Sequence, residues 1–407
     1  MSPDRARPLL AIAALLSLGC SSGSSSGSHA DDPLALPSGP PLACEAGDYD
    51  IGAQSSAGLS LVALDGIGLS EPTSVLGQAA YQSAPFSLCI PDDAVSLSLY
   101  GGGGDDVLPN SWVGSGIGEL VDTSSVQTWV RSVTPELSLP KSDGVPLVPG
   151  RHTFRLVATA PANPPVRLAI RRGARGDHST FHLNLVLVDG CGIDSGDADA
   201  FASAATRFDD LYGQVGIAVS ALGAGTIADT SLAVLDDSNL QALVNAPVTP
   251  SADYPPFDDG VTLYLVRELL SNDAAGTLGQ LAGKAMGIPG VPFLTDKRGV
   301  VLAVDAHRVG SKLSYTALWT TAAHEVGHWH GLRHTTERWG SPHDYVADTP
   351  QCPAWHDTNH DGYVEPWECP AAGSNLMFWY YDITNPPTKL TAGQGFVLHS
   401  GLTMTPG

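Results

Sequence analysis

The sequence predicts two domains: an α/β domain over residues 181–407, preceded by an all-β sandwich over 44–170. Three features predict it. From 44 to 170, short apolar runs are punctuated by Gly, Pro, Asp and Ser, as in "PFSLCIPDDAVSLSLYGGGGDD" and "GRHTFRLVATAPANPPVRLAI". Beyond 181, strand-like runs alternate with helical patterns. Between them lies "RRGARGDHST", residues 171–180, which is basic and poor in apolar side chains. Short strands separated by turn residues build sandwiches. Strands interleaved with helices build layered α/β sheets, and a polar basic stretch reads as a linker. The chain has 407 residues, 43% of them apolar and 15% charged, with 45 Gly and 31 Pro. That is long enough for two cores and too rich in loop formers for a helical bundle.

The N-terminus reads as an export signal over residues 1–19. Arg5 and Arg7 precede "LLAIAALLSLGC", an apolar run too short for a permanent membrane span. Gly19-Cys20 resembles a bacterial lipobox, which implies a lipidated Cys20; cleavage by an ordinary signal peptidase is the alternative. Residues 20–43 open with "CSSGSSSGSHADD", the composition of a flexible tether. This gives an exported bacterial protein, either secreted or an outer-membrane or cell-surface lipoprotein. A monomer is expected. The net charge of −22 excludes nucleic acid as a partner, and leaves the membrane reachable only through the lipid.

An oxidising destination favours disulfides. The simplest pairing is Cys44 with Cys89 in the first domain and Cys352 with Cys369 in the second. Cys191 is left over, either a buried thiol or a thiolate that blocks a metal in a latent form. The sandwich module reads as an accessory or prodomain. In the linker, Arg171, Arg172 and Arg175 offer a proteolytic activation site. Arg175-Gly176-Asp177 also spells an adhesion tripeptide, weighed against a plain solvated linker.

The second domain opens with a buried strand, "TFHLNLVLVDG". A helix follows in "DSGDADAFASAATRFDDLYG", with an acidic first turn and Gly213 at its end. "QVGIAVSAL", "GVTLYLVREL" and "RGVVLAVDA" are further strands, and "SYTALWTTAAHEVGHWHG" is a long helix ending at Gly331. On that helix His324 and His328 stand four apart, about 40° around the axis, so both imidazoles can converge on one cation. Glu325, one step round, reaches a metal-activated water without taking a coordination position. His330 is about 240° from His324 and reads as an outward-facing bystander. Gly331 tolerates the turn out of the helix, after which His334 swings back as third ligand. Three neutral imidazoles leave a fourth position open, as a catalytic zinc requires.

The full pattern H-E-x-x-H-x-x-G-x-x-H arises by chance on the order of once in ten thousand such chains or less. Here the chain resembles the metzincin zinc peptidases, and within them the pappalysin or cytophagalysin family, over about 180–405. "HDYVADTPQC" is similar to the family's segment after the third histidine, "SNLMFWYY" to its Met-turn and "LTAGQGFVLHS" to its closing helix. The resemblance implies a metzincin-type α/β catalytic domain (an α+β arrangement with an active-site helix and a Met-turn) and Met377 packed beneath the zinc ligands. It also implies a disulfide-bound loop where Cys352 and Cys369 lie. Related enzymes often carry a tyrosine two residues after the Met-turn methionine. Trp379 stands there instead, with Tyr380 and Tyr381 beyond it as possible oxyanion stabilisers.

"DTNHDGYVEPWE", residues 357–368, matches the twelve-residue calcium-loop template. Asp357, Asn359 and Asp361 take positions 1, 3 and 5, Gly362 makes the turn, and Tyr363 offers its carbonyl at 7. Glu365 and Glu368 take 9 and 12. Pro353, Pro366 and Pro370 rule out paired flanking helices, so a structural calcium loop closed by Cys352–Cys369 is expected.

The function expected is zinc-dependent hydrolysis of peptide bonds in a protein or peptide substrate, by a metal-activated water with Glu325 as general base. A catalytically inert, calcium-stabilised surface binding lipoprotein is the alternative, and zinc hydrolysis of a non-peptide amide a third. The intact ligand set and Glu325 argue against inertness.

Overall fold

The computed structural model describes residues 39–407 except 76–77, 102–106, 117, 123–136, 159, 194–197, 237, 273–277, 293–297 and 381. The export signal, Cys20 and Tyr381 lie outside the described residues. The chain forms two compact units: residues 1–140 with 144–173, and 141–143 with 174–407.

In the first unit two largely antiparallel sheets enclose one core. One runs Tyr49–Asp50, Phe86–Ile90, Gly150–Ala158, Gln78–Ser83, Leu69–Val75, with Val107–Gly114 also pairing to Gly150–Ala158. The other runs Gly58–Leu64, Val166–Arg172, Ala94–Gly101, Leu137–Leu139. Alternation does the work that the sequence implied: Phe86, Leu88 and Ile90 are buried while Ser87 and Cys89 are less so. Phe86, Phe154 and Trp112 pack ring against ring at its centre. The Cys44–Cys89 disulfide spans 45 residues, worth about 4 kcal/mol in the loop-entropy estimate.

The boundary between the units, at Gly173 and Ala174, falls inside the expected linker, whose two ends are already strand. Arg171 and Arg172 end the strand Val166–Arg172, where Arg172 pairs with Asp93 at 2.8 Å and donates to the carbonyls of Gly52 and Ser55. A new strand begins at Ser179. Arg175 places its guanidinium carbon over Phe396, 3.8 Å from the ring centre, so the Arg-Gly-Asp tripeptide does not offer a free arginine. Basic composition was misleading because these guanidiniums are spent on folded partners.

The second unit is built on strands β1 (Ser179–Val188), β2 (Ile217–Ile227), β3 (Val261–Val266), β4 (Gly283–Ala285) and β5 (Val300–Ala303). These five run in the order β2-β1-β3-β5-β4, parallel except for the terminal strand β4, and the two-residue strands Thr249–Pro250 and Thr405–Pro406 pair antiparallel with β2 and β1. Side chains of β1 alternate between two cores. Phe181, Leu183, Leu185 and Leu187 face helices α1 (Ala198–Tyr212) and α2 (Tyr315–Trp329). Val186 and Val188 face a second cluster with Leu235, Leu243 and Leu269. Burial on both faces explains the nearly continuous apolar run. The helices are tied by Tyr212, whose hydroxyl donates to the Ala323 carbonyl at 2.8 Å.

Ser314 caps α2 by accepting from Ala317 N–H, and Gly331, at φ +104°, turns the chain out. Gly331 N–H donates to His328 O and Leu332 N–H to Gly327 O, closing the carbonyl end. His330 is 2% exposed, which corrects the outward-facing reading. Its ring meets Phe181 and Trp329 edge-on at 5.3 and 5.2 Å. A Cβ on Gly401 would stand 2.6 Å from its Nδ1, so that glycine is needed to admit it. His307 is also buried, with Nδ1–H donating to Ala303 O (2.7 Å) and Nε2 accepting from Thr321 Oγ1 (2.6 Å). Burial pushes it down to about 4.

His330→Gln is expected to lower the stability by about 1–3 kcal/mol through lost aromatic packing, read as a lower urea midpoint. An unchanged midpoint would restore the solvent-facing reading. His307 stays neutral in the fold while the unfolded chain protonates near pH 6.5. Its contribution is therefore full above pH 6.5 and is lost as pH falls towards 4. Urea midpoints of the parent and His307→Gln should converge over that window; a constant gap contradicts it.

Candidate metal centre

Helix α2 rests its apolar face on the sheet through Leu318, Trp319, Ala322, Val326 and Trp329. The opposite stripe carries His324, Glu325 and His328. The two histidines are 7% and 6% exposed, so each ring needs a partner for the nitrogen turned inward. His324 Nδ1 donates to Leu376 O (2.6 Å) and His328 Nδ1 to Leu332 O (2.8 Å). His334 comes from the segment beyond Gly331, and its Nδ1 lies 3.1 Å from Glu337 Oε2. The Nδ1 atoms of His324 and His328 are spent on carbonyls, which leaves their Nε2 atoms for a cation; His334 Nδ1 sits at ion-pair distance from its carboxylate without a hydrogen bond. The three residues bring ligand atoms within 4.8 Å of one another. Ring centres are 4.7 to 5.3 Å apart.

Such a donor set, all imidazole with two of the three buried, fits zinc. Burial, with His334 nearby, pushes His324 down to about 3, and burial, then His324, holds His328 well below the ordinary range. Both are neutral ligands at physiological pH. Glu325 Oε2 accepts from Ala285 N–H at 2.8 Å, which anchors the carboxylate beside the terminal strand β4. Burial raises Glu325 to about 7, against the pull of that N–H, His334 and Lys284.

Two glycines make this approach possible. A Cβ on Gly283 would stand 2.8 Å from Glu325 Cγ and 2.9 Å from Thr321 Cγ2. A Cβ on Gly327 would stand 2.7 Å from Met377 Sδ. Met377 is fully buried against the helix, and its carbonyl accepts from Thr335 N–H, the residue after His334. Its own N–H donates to Asn375 Oδ1. Asn375 and Gln394 exchange two amide hydrogen bonds of 3.0 Å, and Gln394 completes the capping box of α3 (Ala392–His399). Asn375, Gln394 and Glu337 were missed in the sequence. Only Glu337 left a signal, a carboxylate three residues after a ligand.

The loop 357–368 gathers the expected residues but turns them on its own backbone. Asp357 accepts from Asp361 and Gly362 N–H, and Asp361 accepts from Tyr363 N–H. Asn359 Nδ2 donates to Asp361 and Glu365. Glu368 accepts from Thr358, Asn359 and Glu365 N–H. Burial, then Glu368 and Asp361, raises Glu365 to about 7; Thr358 and Glu365 hold Glu368 down to about 2 despite a burial cost. Gly362 turns at φ +90°. Among the described residues only the histidine triad converges on a point.

Cys352–Cys369 closes the loop, as Cys44–Cys89 closes its own. Val364 N–H donates to Arg338 O, and Trp379 Nε1–H donates to Val364 O at 2.6 Å. That bond consumes the indole at the position two after Met377. Tyr380 is 43% exposed and packs against Trp379 and Trp367. Cys191 is buried in the helix-side core and donates to Ile193 O, so it does not face the triad as a blocking thiolate.

No family model matches the chain. Over 114 residues, 25% of its length, it is 39% identical to an extracellular metalloprotease of Colletotrichum graminicola. Over 134 residues, 30% of its length, it is 33% identical to extracellular metalloprotease 1 of Coccidioides posadasii. It covers 37% and 44% of those relatives, less than half of each. Among solved structures, mature mirolysin of Tannerella forsythia in complex with a cleaved peptide is 18% identical, with 56% of this chain and 94% of that one covered and a TM-score of 0.34. Archaemetzincin of Methanopyrus kandleri is 18% identical over 40% and 78%, at 0.25. These TM-scores are too low to carry an argument. Over about a quarter to a third of its length, the chain is similar in sequence to metalloproteases.

Proposed function

We propose that the second half of the chain is a zinc-dependent endopeptidase of metzincin type, resembling the pappalysins or cytophagalysins. The observation that carries this is the convergence of three imidazoles, two of them buried with their Nδ1 given to carbonyls, beside a half-buried carboxylate anchored by a backbone N–H. His324, His328 and His334 would hold the metal. When bound, zinc supplies a Lewis acid that acidifies water and polarises a carbonyl. The chain's own residues do the rest. Ala285 N–H holds Glu325 Oε2, which leaves Oε1 to take the proton of the attacking water and pass it to the leaving amine. Strand β4, last in the sheet, is the edge on which an extended peptide adds as one more strand, running past Glu325. Tyr380 or Tyr381 would stabilise the oxyanion, since Trp379 is committed to Val364.

Calcium in the loop 357–368 completes the reading as a structural ion. The spacing of Asp357, Asn359, Asp361, Glu365 and Glu368 about the Gly362 turn supports it, with the Tyr363 carbonyl as a sixth ligand. The N-terminal signal and Cys20 support export with a lipid anchor at the cell surface or outer membrane, or secretion. The first unit would be an accessory or prodomain.

Zinc-loaded protein incubated with a peptide library, with and without chelator, should give cleavage sites by mass spectrometry only in the metal-replete arm. Glu325→Ala should keep one zinc and lose roughly 10²–10⁴-fold in kcat/KM. Retained turnover in that variant would sink the assignment. Calcium titrated into zinc-loaded protein should give a saturable heat and a higher melting temperature, both lost in Asp361→Ala. No heat and an unmoved melting temperature would remove calcium from the reading.

A further inference from the structure

The three imidazoles are not held alike. His324 and His328 donate to backbone carbonyls, neutral acceptors, and their positions are set by the helix that carries them. His334 stands outside that helix, on the segment after Gly331, and the Glu337 carboxylate lies 3.1 Å from its Nδ1, at ion-pair distance but without hydrogen-bond alignment. The backbone that carries this carboxylate is itself fixed. Glu337 N–H donates to Pro342 O and Glu337 O accepts from Gly340 N–H, a turn completed by Gly340 at φ +77°. The next residue, Arg338, offers its carbonyl to Val364 N–H. Thr335 N–H, one residue after His334, is held by Met377 O. The backbone on both sides of the pair is pinned, so the carboxylate meets the ring without a search.

We infer that Glu337 is the positioning residue of the third ligand: its carboxylate fixes the Nδ1–H tautomer of His334 and supplies negative charge to the metal through the ring. This rests on the reading that the triad holds zinc. The chemistry favours a carboxylate at this ligand. A histidine on a loop lacks the helical scaffold that orients the other two, so its ring direction must come from a partner. Three neutral imidazoles leave a divalent cation with two uncompensated positive charges in a buried site. Glu337 behind His334 supplies negative charge towards it. Zinc-ligating histidines backed by a carboxylate are more basic donors, and loss of such a backing group typically weakens metal binding 10–100-fold.

The test uses the full chain, with zinc affinity measured by competition against a chromophoric chelator and the melting temperature of the metal-free protein as a folding control. Glu337→Ala should raise the zinc Kd about 10–100-fold while the metal-free melting temperature stays within about 2 °C of the parent. Glu337→Gln, which keeps an acceptor at the same place without the charge, should fall between the two. Cobalt-substituted Glu337→Ala should also show a shifted visible absorption band, the mark of a displaced ligand. Parent-like zinc affinity in both variants overturns the inference, as does a Glu337→Ala loss matched by an equal drop in metal-free stability with Glu337→Gln binding as the parent does. Failure of the parent itself to bind zinc, or undiminished binding in His334→Gln, instead sinks the zinc reading beneath it.

Discussion

Imidazole has two ring nitrogens, and a buried histidine that offers one to a cation must give the hydrogen on the other to an acceptor. That requirement organises the second unit. An α-helix has spent its own carbonyls on its ladder, so acceptors for His324 and His328 have to be carried in by chain that has left the helix. Leu332 arrives at once, because Gly331 reverses direction at a positive φ few residues tolerate. Leu376 arrives only after the chain has travelled more than forty residues. Its approach is then secured by Met377 against Gly327, by Thr335 N–H on the Met377 carbonyl and by the Asn375–Gln394 pair that reaches the last helix. An error in any of these would leave a donor stranded in a dry core, at a cost of about 1–3 kcal/mol.

This explains which parts were legible in the sequence. The ligands are a local pattern on one helix plus a glycine, and helical angle alone sorts them. Their acceptors are backbone carbonyls, which have no side-chain signature, so Leu332 and Leu376 left no trace. His330 shows the limit from the other side. Angle says which way a side chain points, but Phe181 and Gly401 decide what lies in that direction, and they come from distant parts of the chain. The alternation of β1 was hidden for a related reason, since both faces are covered and both sets of residues are apolar. Residues 171–180 do contain the crossing between the units, but their charge was taken for solvation, whereas Arg172 and Arg175 each have a folded partner.

The loop 357–368 joins the two segments that supply those acceptors. Val364 takes Trp379 on its carbonyl and gives its N–H to Arg338, one residue beyond Glu337. A single buried residue of the loop thus cross-braces the chain after the third histidine and the chain after the methionine. The tryptophan two residues past Met377, at first sight a defect in the pattern, is half of that brace.

The disulfide between Cys352 and Cys369 has a consequence for endurance. The segment it encloses carries Trp355, Tyr363 and Trp367 at 66%, 40% and 61% exposure, an outward aromatic rim on an irregular loop. Such an exposed, irregular stretch is what proteolysis finds first. A single nick inside the ring leaves both cut ends covalently attached, with Val364 still clamped between Arg338 and Trp379. Two scissions, or a scission and a reduction, are needed before the segment can leave, so damage must strike twice before the histidines lose their framework.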